Sequence, residues 1–212
     1  MIVTRLEETT GKRIKIYLDD TFAFVLYPQD IKRYHIAESR EIGREELSAI
    51  YQETILRRAR QKAMKLLLRM DYSEYGMRQR LKRDLYPDQA IQDTISFLYE
   101  YHYLDDVRYA EHYIRAKGDS YGYAELRQRL LGQGIDTDTI QQVYADLKLD
   151  EDGVLREQMK KKLSGKQSLS EKERNRWIAY FMRRGFSYRR ITECMQALAI
   201  DFTYDTFDYD NL

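Results

Sequence analysis

Met77-Arg78-Gln79-Arg80-Leu81 and Leu126-Arg127-Gln128-Arg129-Leu130 are one segment written twice, 49 residues apart. The match continues without a gap, so that Ile91 falls on Ile140 and Leu98 on Leu147. A second shift, of 51 residues, carries Leu126 to Trp177, Leu130 to Phe181, Gly134 to Gly185, Ile140 to Ile191 and Leu147 to Leu198. Self-similarity at this period marks an array built from one supersecondary unit. In each copy the paired apolar residues are four apart (Met77 and Leu81, Leu126 and Leu130, Trp177 and Phe181) and so share one helix face.

The same unit explains the residues that follow. Gly134 and Gly185 stand where a second helix should end in a left-handed turn. Asp136 and Ser187 come next as N-caps of a third helix. That helix carries its stripe at i, i+4 and i+7: Ile91, Ile95 and Leu98; Ile140, Tyr144 and Leu147; Ile191, Met195 and Leu198. The first copy has Leu85 and Pro87 at the turn, which predicts a turn of different shape there. First helices are expected at about 44–70, 105–117 and 151–163, with Val107, Ala110 and Ile114 as the buried stripe of the second. Tyr99, Tyr101 and Tyr103 are expected to close the first unit. Residues 164–170 read as a polar, mobile linker.

Ahead of the repeats, Ile14, Ile16 and Leu18 alternate with Lys15 and Tyr17, and the alternation resumes after Asp19-Asp20 with Phe22, Phe24 and Leu26. Period two on both sides of a short acidic turn predicts a hairpin, with Ile2 to Leu6 able to add a strand across Gly11. A hairpin alone is marginal in water, so this sheet should pack on something. The fold class is therefore mainly α: three tandem three-helix repeats in an elongated, curved arrangement behind a small antiparallel sheet. The boundaries read as 1–43 for the sheet region, 44–103, 104–149 and 150–200 for the repeats, and 201–212 for a tail of alternating acids and aromatics. That tail would fray, or fold back on a basic face and compete with an anionic partner.

Composition narrows the chemistry. A net charge of +1 says nothing of partners by itself, but its distribution does. Residues 55–83 hold Arg57, Arg58, Arg60, Lys62, Lys65, Arg69, Arg78, Arg80, Lys82 and Arg83 against Asp71 and Glu74 alone. Residues 156–190 are again basic, whereas 84–106 and 136–152 are acidic, so charge alternates in blocks. A basic helix face is ordinarily just solvated. Here the imbalance exceeds what i,i+4 pairing can neutralise, which leaves salt bridges between repeats or an anionic partner. Arg78 and Arg127 occupy equivalent places, as do Arg80 and Arg129; the third copy would have to use Arg183, Arg184, Arg189 and Arg190 instead.

Enzyme chemistry finds little support. Asp105-Asp106 reads as an N-cap and a first-turn acid rather than as a metal or acid–base pair. His35, His102 and His112 are scattered, and Cys194 falls on the helix position of Thr94 and Val143, a small core site. A single cysteine excludes an intramolecular disulfide and a cysteine metal cluster, and no run is long and apolar enough for a signal peptide or a membrane span. No catalytic, cofactor or metal residues are expected.

Tyr103-Leu104-Asp105-Asp106, Arg108-Tyr109-Ala110, Tyr121-Gly122, Leu126 to Leu130 and Gly134-Ile135 together resemble the hallmark of the RecX family. Ala63, Leu67, Ser73, Arg78 and Leu81 before them, and Phe181, Arg184-Gly185-Phe186 and Ile191 after, extend the resemblance over roughly 55–198. The resemblance implies a non-enzymatic cytoplasmic protein, a monomer, that lies in the groove of the RecA filament on DNA and damps strand exchange, ATP hydrolysis and coprotease activity. Its partners would be the RecA filament and single- and double-stranded DNA, with no membrane, cofactor or small-molecule substrate. The family has no catalytic constellation to transfer, so the basic residues named above, with Arg127 and Arg129, are regional candidates. A stand-alone helical-repeat DNA-binding protein and a general interaction scaffold are the alternatives.

Overall fold

The computed structural model of the chain describes residues 1–9, 11–163 and 168–198 in full and 201–203 as backbone. It divides into two compact units, Met1–Asp106 and Val107–Leu212.

The first unit opens with an antiparallel sheet in the order β1 (Val3–Thr9), β2 (Arg13–Leu18) and β3 (Thr21–Leu26). The acidic turn between β2 and β3 forms as expected, with Asp19 and Asp20 both at positive φ. Period two sends Ile16, Leu18, Phe24 and Leu26 to one buried face. A short helix, α1 (Pro28–Arg33), leads to a helical run of three parts: α2 (Arg44–Ile50), a π-helical stretch (Tyr51–Leu56) and α3 (Arg57–Leu67). The sequence announces a plain long helix; the π stretch is additional, and it suits a run that serves two cores. Ile50 and Ile55, five residues apart, pack with the sheet. Ala63 and Leu66, back in α-helical step, pack into the first repeat.

That repeat is α3 with α4 (Glu74–Arg83) and α5 (Asp88–Glu100), around Met77, Leu81, Ile91, Ile95 and Leu98. The side chain of Ser73 caps α4 by accepting from the amide of Gly76 at 3.1 Å. In the second unit, α6 (Asp106–Lys117), α7 (Tyr123–Gly132) and α8 (Thr137–Leu147) close on Ala110, Ile114, Leu126, Leu130 and Ile140. The third set, α9 (Glu151–Leu163), α10 (Glu171–Met182) and α11 (Tyr188–Ala197), closes on Leu155, Met159, Phe181, Ile191 and Met195. Asp136 and Ser187 cap α8 and α11 through the amides of Thr139 and Arg190. The hydroxyl and amide of Thr139 hold the Asp136 carboxyl below its ordinary value.

The turn between second and third helices has the same shape in all three copies. The amides of Tyr86, Ile135 and Phe186 bond back to the carbonyls of Leu81, Leu130 and Phe181, and Leu85, Gly134 and Gly185 all take positive φ. The expectation of a different turn in the first copy is therefore corrected. The 6→1 bond and burial of the following apolar residue outweigh the cost of a left-handed leucine, of the order of 1–2 kcal/mol.

Three further expectations change. Val107 is exposed, while Ala110 and Ile114 of the same stripe are buried in the core of the second repeat. Tyr99, Tyr101 and Tyr103 are exposed rather than closing that core; Leu98 and Leu104 close it, while Tyr101 and Tyr103 stack beside Phe97 at the surface. Ser168–Ser170 is not open linker but a strand, β4, which pairs in parallel with β5 (Asp201–Thr203) and buries Leu169. Ser170 then forms a capping box with Glu173 at the start of α10. Residues 164–167 and 204–212, with the fold-back expected of the tail, lie outside the described residues.

Gly185 carries a second constraint. A Cβ there would lie 2.4 Å from the amide nitrogen of Glu125, and one on Gly122 would lie 2.6 Å from the carbonyl oxygen of Gly185. The amide of Gly122 donates to the carbonyl of Arg184 at 2.8 Å, so the second and third repeats meet backbone to backbone. Leu85→Gly should raise stability by about 1 kcal/mol, whereas Gly185→Ala should lower it by at least about 2 kcal/mol. Urea unfolding of the full chain measures both, and equal responses would contradict the turn assignment.

Candidate nucleic-acid interface

The basic side chains separate into those the fold already uses and those it leaves uncommitted. Arg58 belongs to the first kind. Its guanidinium makes a bidentate pair with Asp30, Nη2 to Oδ1 at 2.9 Å with Nη1 on Oδ2, and lies 4.9 Å from the centre of the Tyr27 ring. The Asp30 bond holds the guanidinium above its ordinary pKa. Lys62 reaches Asp84 at 2.9 Å, Arg80 lies 3.8 Å from the same carboxylate, and Arg13 of β2 donates to the Asp84 carbonyl at 3.2 Å. These contacts tie the sheet to the turn of the first repeat. Nearby, burial pushes the Tyr86 hydroxyl up to about 12. Arg78 spends its charge on Glu74 at 2.6 Å and also reaches Gln92.

Several candidates in the second unit are likewise engaged. Arg129 pairs with Glu125 at 2.7 Å and covers the Tyr121 ring; the Glu125 bond, with a lesser one from Tyr113, raises its pKa. Arg184 donates to the Ser120 carbonyl and stacks on Tyr180. Arg190 holds Asp152 at 2.5 Å, and Arg189 holds Glu193 at 2.8 Å. Arg127, equivalent to Arg78, instead finds the hydroxyl of Thr137 at 3.3 Å and no carboxylate among the described residues. Equivalent positions therefore carry unequal net charge.

Six candidates make no ion pair, side-chain hydrogen bond or ring contact among the described residues: Arg57, Lys65, Arg69, Lys82 and Arg83 in the first unit and Arg183 in the second. Arg60 is a special case. It lies 4.6 Å from the centre of the Phe97 ring, and its Nε has no hydrogen-bond partner. Steps of three and four along α3 put Arg57, Arg60, Gln61, Met64 and Lys65 on one face. With Leu56, Leu68 and Phe97 they line a groove of about 650 Å³ that no carboxylate borders. The charge runs predict the cations but not the groove's apolar floor. The available signal was Leu68, an apolar residue off the buried stripe of α3 and 84% exposed.

Among the described residues no group of His, Cys, Asp and Glu is arranged to hold a metal, and no helix is long and apolar enough to cross a membrane. Asp106, which invited a metal reading, accepts from the amide of Glu74 at 2.8 Å and so braces the start of α4. Burial raises the Cys194 thiol, which packs beside the core of the third repeat.

Three-helix repeats behind a small antiparallel sheet make this a helical-repeat protein. A family model described as the first three-helix domain of RecX matches residues 59–98. Regulatory protein RecX of Vibrio vulnificus is 31% identical over 130 residues, which cover 61% of this chain and 85% of that protein. Its namesake from Bacillus velezensis is 29% identical over 90% of this chain and 74% of its own length. The chain belongs to the RecX family. A crystal structure of a regulatory protein RecX has the same fold, with a TM-score of 0.59 at 17% identity over 91% of this chain and 98% of that one. RecX from Lactobacillus salivarius gives 0.55 at 19% identity over 68% and 96%.

The two kinds of arginine should respond differently to truncation. Arg58→Ala leaves the nearly buried Asp30 without its partner and should cost about 3 kcal/mol in urea unfolding. Arg57→Ala, at an exposed site, should stay within about 0.5 kcal/mol of the parent. A large stability loss for Arg57→Ala would place that side chain in the scaffold after all.

Proposed function

We propose that this protein regulates RecA without catalysing a reaction, by lying in the groove of the RecA filament on DNA and damping its ATP turnover, strand exchange and coprotease activity. Family membership supports the regulatory role. The single observation that carries the binding surface is the unpaired cation set Arg57, Lys65, Arg69, Lys82 and Arg83, in a stretch where Arg58, Lys62, Arg78 and Arg80 are matched to acids. An exposed set of like charges on rigid helices is what a phosphate-bearing polymer binds, through counterion release. The repeats, taken as 44–103, 104–149 and 150–200, act in this reading as successive contact modules, with Arg127 and Arg183 as the contact candidates of the later two. The protein works in the cytoplasm as a monomer, needs no cofactor, and meets single- and double-stranded DNA as part of the filament.

The test is RecA ATPase on single-stranded DNA with this protein titrated in. The rate should fall with added protein. Joint reversal of Arg57, Lys65, Lys82 and Arg83 to Glu should raise the concentration needed at least about tenfold and flatten the salt dependence by roughly one unit of log–log slope per lost phosphate contact. Full potency in the reversed variant would remove the surface assignment. Steep, salt-dependent binding to free DNA with no effect on RecA would favour a stand-alone DNA-binding protein instead.

A further inference from the structure

The N-terminal sheet has two edges, and the fold treats them differently. Residues 39–42 cover β1: the Ser39 amide donates to the Val3 carbonyl at 2.8 Å, the Val3 amide to Arg40 at 2.9 Å, and the Ile42 amide to Met1 at 2.8 Å. Strand β3 is the opposite edge, and among the described residues its outer side has no backbone partner. Bare edges are normally protected by Lys, Pro, inward charges or bulges. Thr21-Phe22-Ala23-Phe24-Val25-Leu26 contains no charge and no proline; a bulge that skips Ala23 sets Phe22, 37% exposed, beside Tyr17 and leaves Phe24–Leu26 as the regular part of the edge.

A groove of about 540 Å³ runs along this edge. Phe22 and Phe24 form its strand side, Leu47, Tyr51 and Ile55 its helix side, and Arg44 stands at the rim. Arg44 makes no ion pair among the described residues. An open strand facing a helix across an apolar trough is the geometry that accepts an added strand. The strand edge supplies main-chain hydrogen bonds that hold an added strand about 4.8 Å away, and the trough takes alternate side chains.

We infer that β3 and the groove beside it form a docking site for an extended segment of a partner protein. That segment pairs with β3, places apolar side chains at alternate positions in the trough, and sets a carboxylate against Arg44. Its edge matches the alternating donors and acceptors of a polypeptide backbone, and its lining shares no residue with the cationic surface on α3, so it does not rest on the filament reading.

The test uses a randomised peptide library displayed on phage and selected on the immobilised full chain. The selected sequences should converge on alternating apolar residues with one acidic position. The best of them, as a synthetic peptide, should slow amide exchange in Thr21–Leu26 and bind at least about tenfold more weakly to Phe22→Lys and to Arg44→Glu. Both variants change exposed or rim positions, and their own amide spectra report that the sheet is intact. No convergence, apolar spacing of three and four, or undiminished binding by Phe22→Lys overturns the inference. So does concentration-dependent dimerisation that protects the same amides without peptide, because the occupant is then a second copy of this chain.

Discussion

The turn from second to third helix is the constraint on which each repeat depends. Two helices joined by a few residues can share a core only if the chain reverses with their apolar faces still in register. The left-handed residue and the 6→1 bond achieve this at Leu85, Gly134 and Gly185 alike. Each turn then drops an apolar side chain, Tyr86, Ile135 or Phe186, toward the leucine or phenylalanine that accepts the bond. Once the turn is set, the i,i+4 pairs on second helices and the i,i+4,i+7 stripes on third helices fall opposite one another, and burial at about 25 cal/mol per Å² supplies the stabilisation. In the third repeat the same glycine also admits the backbone of the second, at Gly122 and Glu125. One conformational requirement thus serves both closure of a repeat and its joining to the next.

Much of this was legible because it is local or periodic. The repeat offsets located the cores, and Asp136, Ser187, Gly134 and Gly185 announced their caps and turns by residue type. Leu85 was illegible for the same reason: a left-handed leucine has no compositional mark, and only homology of position with the two glycines pointed to it. Val107 fits a helical stripe by spacing, but spacing does not say how far a core extends along the helix; the core of the second repeat takes Ala110 and Ile114 and stops short of Val107. The tyrosines after α5 read as core by hydrophobicity, yet each ring keeps a hydroxyl that favours water, and they remain at the surface.

The candidate site divides along the same line. Pairs four apart, Glu74 with Arg78 and Glu125 with Arg129, can be written down from spacing alone. Asp30 with Arg58, 28 residues apart, and Lys62 with Asp84 depend on the sheet packing against the first repeat and carry no sequence signature. Counting charge over 55–83 therefore overstates what is available to a partner. The residue left after pairing is concentrated on the open face of α3 and the end of α4, where helix dipoles favour cations at C-termini such as Lys82 and Arg83.

This partition bears on how a small scaffold can present strong positive charge without losing stability. Like charges packed on adjacent turns repel, and a marginally stable domain tolerates only a few kcal/mol of such strain. Here the cations nearest the packed faces are each matched by a carboxylate or ring from another element, so their charge contributes to the clasp between sheet, α3 and the α4–α5 turn. The unmatched ones stand at exposed positions where water and salt screen their repulsion. Phosphates or carboxylates of a partner would replace that solvent at little reorganisation cost, because the backbone carrying Arg57 and Lys65 is held by Arg58, Lys62 and the core beneath them. The interleaving of paired and unpaired cations along α3 is thus a division of labour set by helix geometry: one face anchors the helix, and the face about a third of a turn away is left open.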